Sequence, residues 1–497
     1  MAIKKIKNFA HILCLLLGPI SFYLVINLSS SFGFDDKQKF LIGILVWTMI
    51  WWTHGLIPLG VTAMLSSCLA AMLGVGSVPT IFSSYAHPII FLFLGGFLLA
   101  KAMEVHRLDQ RLALFLLSRK WVAKKKGRFL QMIFLVTFLL SMWFSNTATT
   151  AILVPLVLGV LKKIYEDDAD ADPEKIRKYQ SLFLISVACM AGMGGSGTPV
   201  GSPPNILAVG MLKEMVGINI SFTHWMIYSM PILVICAVIF YFMIYRQMRE
   251  SLQRPVNVDF IKHELIKLGP LKGEEIITII VGILLVTFWM IPGLFDIFAP
   301  EMTSVREFFD SNFPESVVSI FFAGLLFINP FSPKRSALKK EHLSQLDWNT
   351  LLLFGGGLSL GALMFETGLA PIIGNIIADY SKDLSYPVFI TVFVLFTAFF
   401  TEFSSNTATA NLVIPFVISA AQKSGLDPLL PTLAVTITSN FAFMLPIATP
   451  PNAIVFATGK VPLSDMFKIG GGISLIGSFL LIIYFAFIIP WVTGIFA

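Results

Sequence analysis

The sequence predicts an all-α polytopic membrane protein with about 11 transmembrane helices and two re-entrant helical hairpins, arranged as an inverted repeat. Three observations predict it. Hydrophobic residues make up 56% of the 497-residue chain and charged residues 13%, with a mean hydropathy of +0.81; soluble domains carry about 25% charged residues. Apolar runs near the roughly 20 residues that a bilayer requires recur from end to end. A set of three short polar motifs occurs twice in the same order. This composition excludes disorder, collagen and coiled coil.

The elements follow in order. Lys4, Lys5 and Lys7 precede an apolar stretch at 10–28. Its length and the lack of a small-x-small cleavage site make it a retained first span, not a signal peptide. Further spans fall at about 39–53, 57–77, 85–104, 180–215, 225–245, 275–293, 316–332, 349–369, 431–458 and 468–495. Two apolar blocks remain, 128–161 and 387–422. Each is too long for one simple span and is interrupted by Ser-Asn-Thr. The parts are an N-terminal span (1–38), a first repeat (39–250), a cytoplasmic linker (251–274) and a second repeat (275–497).

Loop charge sets the orientation. The segment 119–128 (RKWVAKKKGR) has six basic residues and no acid. Lys334, Arg335, Lys339 and Lys340 form a second basic loop; Arg246, Arg249, Arg254, Lys262 and Lys267 lie in a third. The segment 296–315 has five acids and one Arg. Basic loops stay in the cytoplasm. The pattern closes only if both interrupted blocks return to the side they entered, with the N-terminus cytoplasmic and the C-terminus extracytoplasmic. The net charge of +6 therefore reads as topology, with no nucleic-acid partner implied. The compact loops and the lack of a transit peptide point to a bacterial plasma membrane.

The repeat carries the chemistry. Residues 145–151 read SNTATTA and 405–411 read SNTATAN, 260 residues apart. Pro155 matches Pro415, and Gly95-Gly96 matches Gly355-Gly356, at the same offset. Downstream of each tip lie GSPPN at 201–205 and ATPPN at 448–452. Interrupted helices in corresponding positions of inverted repeats mark a transporter's binding site near the bilayer midplane. A broken helix offers free N–H groups to an anion at one end and free carbonyls to a cation at the other. Ser, Thr and Asn side chains serve either. Two such tips suit the two carboxylates of a small dianion. Two prolines in a row break the downstream helices and free the carbonyls around Gly201 and Ala448 for a bound cation such as Na+. Ser141 and Thr401 each stand four residues before a tip serine, one helical turn below it.

Other features read structurally. The run at 192–197 (GMGGSG) matches a dinucleotide fingerprint but follows no strand. The acidic run at 166–174 is a solvated loop. Cys14, Cys68, Cys189 and Cys236 lie in apolar segments and pack as small apolar groups. His54 and His87 sit near span ends and are interfacial or packed, and Trp47, Trp51 and Trp52 suit an interfacial belt. Glu402, inside the second hairpin, is a functional candidate by its depth: it either ligates a cation or holds the tip through hydrogen bonds, and the supporting role is preferred. Lys101 snorkels to the cytoplasmic face. Were Lys101 or His87 instead to face the site, a fixed positive charge would do part of a cation's work. No H-E-x-x-H, G-x-S-x-G or paired acids within a span suggest an enzyme. Neutral tips entering from both faces suggest occlusion and not an open channel.

From about residue 39 onward, these motifs resemble the divalent anion:sodium symporter family, which contains the sodium/dicarboxylate cotransporters. The resemblance implies a homodimer with scaffold and transport domains, elevator-type movement, and Na+ as the coupling ion. It implies one sodium site at Ser141, Ser145, Asn146 and Gly201, and a second at Thr401, Ser404, Asn406 and Ala448. The substrate would meet Asn146, Thr147, Ser202 and Pro203 on one side, and Ser405, Asn406, Thr407, Thr449 and Pro450 on the other. Implied substrates are C4 dicarboxylates such as succinate, malate and fumarate. The alternative within the family is a sodium-independent exchanger of dicarboxylates, 2-oxoglutarate or citrate.

Overall fold

Backbone polar groups in hydrocarbon must pair within their own segment, so the apolar runs become helices. The computed structural model describes residues 2–29, 33–55, 57–166, 172–248, 258–328, 336–381 and 385–493. Every regular element among them is helical. Arg249, Arg254, Lys334, Arg335, part of the linker (251–257) and most of the acidic run (167–171) lie outside the described residues.

Six helical segments are long and apolar enough to cross a bilayer: Val78–Val105, Phe222–Met248, Gly273–Phe298, Trp348–Glu366, Tyr386–Phe403 and Leu463–Val492. The expectation was eleven spans. Tyr386–Phe403 is a hairpin arm, so five of the six match expected spans; the first two expected spans fall on helices Ala2–Ser29 and Asp36–His54, and the other four on helices cut short or broken. Leu59–Met72 is closed by a turn at Gly74, where φ is +66°. Glu315–Leu325 ends after 11 residues. The expected spans 180–215 and 431–458 are each broken in the middle.

The two repeats pair crosswise. Helix Pro88–Val105 packs on Glu315–Leu325 of the second repeat, and Trp348–Glu366 packs on Leu59–Met72 of the first. The repeated glycines allow this close approach. A Cβ on Gly95 would lie 2.6 Å from the Ser319 carbonyl oxygen; one on Gly356 would lie 2.4 Å from Ala63 Cβ. Trp52 is buried and donates to the Leu59 carbonyl at 3.1 Å, and the Trp47 and Trp51 indoles pack around Gly18 of the first helix. These three indoles therefore serve helix packing more than an interfacial belt.

Each paired span is followed by a short helix that hydropathy did not separate from its loop: Leu108–Leu117 in the first repeat and Leu369–Ser381 in the second. The first is tied down by Arg111, which meets Glu275 at 3.2 Å and donates to the Gly269 carbonyl at 2.7 Å. The linker is itself partly helical, at Asp259–Lys267.

The two interrupted blocks are helix–turn–helix hairpins. The first has arms Lys126–Ser141 and Asn146–Glu166; the second has arms Tyr386–Phe403 and Asn406–Lys423. The first entry arm, of 16 residues, reaches about 24 Å, short of a bilayer crossing; the second, Tyr386–Phe403, is just long enough by length and is made a hairpin arm by the turn at Ser404-Ser405 that follows it. Downstream of each hairpin comes a broken helix. Pro173–Gly195 and Pro203–Val216 flank the break in the first repeat; Leu429–Ser439 and Pro450–Ala457 flank it in the second. The leading half of each broken helix packs on both arms of its own hairpin. The trailing half packs on the inner arm of the other hairpin. This exchange brings the two tips and the two breaks into one core.

Candidate functional site

Each tip forms for a local reason. Ser145 and Ser405 cap the inner arms: their Oγ atoms accept from the Ala148 and Ala408 N–H groups, both at 3.1 Å. The capping hydroxyls keep their own protons free to donate. A serine cap satisfies one N–H of the first turn; the others remain open to an anion.

One turn below each tip, a hydroxyl joins the tip to the neighbouring helix. Ser141 Oγ lies 2.7 Å from both Asn146 Oδ1 and the Ala191 carbonyl oxygen. Thr401 Oγ1 lies 3.2 Å from Asn406 Oδ1 and 2.6 Å from the Ser439 carbonyl oxygen. Ser141 and Thr401 are fully buried. Each cluster gathers a hydroxyl, an amide oxygen and a carbonyl, all neutral oxygens of the kind a hard cation takes. No side-chain partner for Asn146 Nδ2 or Asn406 Nδ2 is found among the described residues, so each amide can turn its N–H groups to an anion beside the cation.

The breaks are held by an interaction that sequence reasoning missed. Asn205 Nδ2 donates to the carbonyls of Gly195 at 2.8 Å and Thr198 at 2.7 Å. Asn452 Nδ2 donates to those of Ala442 and Leu445, both at 2.9 Å. All three atoms of one brace stand 247 residues before their counterparts in the other. The signal was present: Asn ends both Pro-Pro-Asn motifs. What could not be read was that its partners lie 7 and 10 residues upstream in the chain.

Pro203 and Pro204 have no N–H, and the Asn205 N–H goes to the Ser202 carbonyl at 3.2 Å. The Gly201 carbonyl therefore has no donor in the following turn. Ala448 is in the same position: Pro450 and Pro451 follow it, and the Asn452 N–H goes to Thr449 Oγ1 at 3.4 Å. The two carbonyls named for the cation sites are thus left open by the covalent structure of the chain.

The remaining predicted residues divide. Thr147 and Ser145 are exposed at the first tip; Ser405, Asn406 and Thr407 are half-buried at the second. Thr449 caps its helix and Pro450 is exposed beside it. Pro203 is half-buried. Ser202 is buried and donates to Asn440 Oδ1 at 2.6 Å, so its hydroxyl faces the second break and not open space. Asn440 Nδ2 in turn donates to Asn205 Oδ1 at 3.1 Å, linking the two repeats. Ser404 Oγ is buried without a partner. So are the hydroxyls of Thr149 and Thr409, which occupy the same place in each inner arm and were not singled out from sequence.

The awkward ionisable groups lie elsewhere or have structural work. Glu402 accepts from the N–H groups of Phe443 at 3.1 Å and Met444 at 3.0 Å, and from Ser474 Oγ at 2.8 Å. It holds the second break in shape, where the sequence alone has it either ligate a cation or hold the tip. Lys101 pairs with Glu104 at 3.1 Å, and His87 with Glu214 at 2.6 Å. Neither reaches the tips.

The GMGGSG run is a packing device. A Cβ on Gly192 would sit 3.0 Å from the Asn440 carbonyl oxygen, one on Gly194 2.3 Å from the Phe138 carbonyl oxygen, and one on Gly195 2.2 Å from Asn146 Oδ1. Gly195→Ala is therefore expected to abolish transport and to lower the thermal midpoint, at an overpacking cost of about 1–3 kcal/mol. Gly472→Ala, whose Cβ would meet nothing within 4 Å, is the control and should leave both unchanged. Thermal unfolding and vesicle uptake of the two variants check this.

Comparison with known proteins agrees with this architecture. The family model described as the sodium:sulfate symporter transmembrane region matches residues 10–495. The sodium-dependent dicarboxylate transporter SdcS of Staphylococcus saprophyticus is 32% identical, over 99% of this chain and 94% of its own length. SdcS of Staphylococcus aureus is 31% identical over the same shares. Among solved structures, the Alcanivorax borkumensis YdaH transporter, reported for its unusual topology, aligns over 93% of this chain and 99% of its own with a TM-score of 0.53. At 11% identity that likeness concerns the fold alone. The chain belongs to the sodium:sulfate symporter family, the divalent anion:sodium symporters, and is a multi-pass membrane transporter and not an enzyme.

Proposed function

We propose that the protein is a secondary active transporter that carries C4 dicarboxylates of the succinate, malate and fumarate class together with Na+. The observation that carries this reading is the duplicated cluster of neutral oxygens, Ser141 and Asn146 with the Ala191 carbonyl and Thr401 and Asn406 with the Ser439 carbonyl, to which we add the open carbonyls of Gly201 and Ala448. Each cluster takes one Na+. Ser145 completes the first, and Ser404, with its partnerless hydroxyl, the second. The substrate's carboxylates lie against the two tips, at Asn146 and Thr147 with Pro203 on one side, and at Ser405, Asn406 and Thr407 with Thr449 and Pro450 on the other. Ser202 acts through Asn440.

Electrostatics ties the ions together. The tips offer only helix ends and neutral groups to a dianion. An uncompensated dianion in low dielectric is prohibitive. Two sodium ions at the tips neutralise it, so substrate binding requires sodium and follows its gradient. The names of the SdcS relatives support the pairing of sodium with a dicarboxylate. The protein works as a homodimer in the plasma membrane. Scaffold helices stay fixed while hairpins and broken helices move together, elevator fashion, with the N-terminus cytoplasmic and the C-terminus outside.

Labelled succinate uptake into substrate-free proteoliposomes tests this. An inward Na+ gradient should drive accumulation, and choline in its place should not. Uptake that needs preloaded succinate and ignores sodium would overturn symport in favour of exchange. Lys101 pairs with Glu104 and His87 with Glu214, which supports symport over an exchanger that uses either group as a fixed charge at the tips.

A further inference from the structure

The two repeats differ sharply at one matched element. Helices Leu108–Leu117 and Leu369–Ser381 each follow the equivalent paired span after a tight turn. In the second repeat the turn residue is Gly368, with φ +72°; in the first it is Arg107, with φ +53°. Arg107 is the one non-glycine residue with positive φ among the described residues. A left-handed conformation disfavours any side chain, and glycine is the ordinary solution. Arg107 is exposed, and no side-chain partner for it is found among the described residues. The fold therefore does not need an arginine there.

Charge follows the same asymmetry. Residues 107–117 carry Arg107 and Arg111 where the matched 368–381 carry no Lys or Arg, and residues 119–128 add six more basic residues directly after the first helix. Arg111 is taken up by Glu275 and the Gly269 carbonyl and Lys126 is buried, whereas Arg107, Arg119, Lys120 and Lys124 are exposed. Apolar side chains stand beside it. Leu112, Phe115 and Trp121 are exposed at 41%, 44% and 45%. The Arg119 guanidinium lies 3.6 Å over the Phe115 ring and that of Arg128 lies 5.0 Å from the Trp121 ring. Lys120 and Lys124 are exposed around them. Exposed aromatic and leucine side chains edged with Lys and Arg form the pattern of a helix lying in a membrane interface.

We infer that the segment 107–128 is a binding surface for anionic phospholipid headgroups, seated at the edge of the bilayer by Leu112, Phe115 and Trp121. Each Lys or Arg at an anionic surface strengthens attachment about fivefold. The pairing of aromatic with guanidinium groups places each charge at headgroup level. Arg107 gives up backbone comfort for a position at the start of the helix, where its charge adds to the open N–H groups of the first turn. The second repeat's arm has no such requirement.

The test does not depend on transport. Purified full-length protein in neutral detergent is titrated with phosphatidylglycerol, phosphatidylcholine or inorganic phosphate, and its thermal midpoint is followed. Retained lipid is counted by native mass spectrometry. Phosphatidylglycerol should raise the wild-type midpoint by several degrees and remain bound; the other two should do neither. The exposed-site variant Arg119→Gln/Lys120→Gln/Lys124→Gln should keep the wild-type midpoint without lipid and lose most of the response. Arg107→Gly should raise the lipid-free midpoint and still weaken the response. Equal phosphatidylglycerol responses in wild type and both variants would overturn the inference. So would an equal response to inorganic phosphate, which would make the surface a site for soluble anions, or to phosphatidylcholine, which would make the contact apolar only.

Discussion

Asn146→Ala is expected to cut sodium-driven dicarboxylate uptake at least about 100-fold while the protein still folds. Hydrogen bonds to charged groups contribute about 1.5–3 kcal/mol each, and this side chain serves an ion and a carboxylate at once. Its Oδ1 meets Ser141 Oγ at 2.7 Å, and Gly195 leaves room for it. Removing the amide strips one cluster of a ligand and the substrate of a donor. Asn406→Ala should behave alike at the second tip, where Thr401 Oγ1 is the 3.2 Å neighbour. Asn146 is half-buried at a tip and not in the packed core, so the thermal midpoint without sodium should move little. Uptake in vesicles together with thermal unfolding of purified protein separates the two effects. Normal uptake by either variant removes that side chain from the site.

The opposite balance is expected at Asn205 and Asn452. Each is fully buried and satisfies two carbonyls of a helix break. An orphaned buried polar group costs about 1–3 kcal/mol, so Asn205→Ala or Asn452→Ala should destabilise the protein by about 3 kcal/mol. Asn205 also accepts from Asn440, so its loss frees a third group and should be the more damaging of the two. Stability is lost here before any question of ligation arises. Sodium should restore part of the lost midpoint, because it binds the folded breaks and not the unfolded chain. Thermal midpoints with and without sodium read this directly; a midpoint unchanged from wild type would show that the braces carry no load.

What was legible in the sequence follows from what leaves a local mark. The hairpins were visible because Ser-Asn-Thr interrupts an apolar block. Their arms start and end within five residues of the expected bounds. The broken helices, expected at about 180–215 and 431–458, were visible as Pro-Pro. The roles of Ser202 and Asn440 were not legible, because their bond crosses 238 residues of chain. Thr149 and Thr409 looked like ordinary helical threonines until both hydroxyls proved partnerless. The arm helices Leu108–Leu117 and Leu369–Ser381 were missed because each is a short helix run on from a long span, and hydropathy cannot separate a helix in the interface from the loop that contains it. Its depth marked Glu402 for a role but did not say which. Its partners, Phe443, Met444 and Ser474 among them, were out of reach of sequence.

The central claim is that two matched oxygen clusters bind two cations and that both are needed for one substrate. The sodium dependence of succinate binding to purified protein tests it most directly, in wild type, Ser141→Ala and Thr401→Ala. The account predicts a sigmoidal wild-type curve, with each single variant shifted to higher sodium and made shallower. Identical curves for all three proteins, or succinate binding that does not depend on sodium, would contradict it.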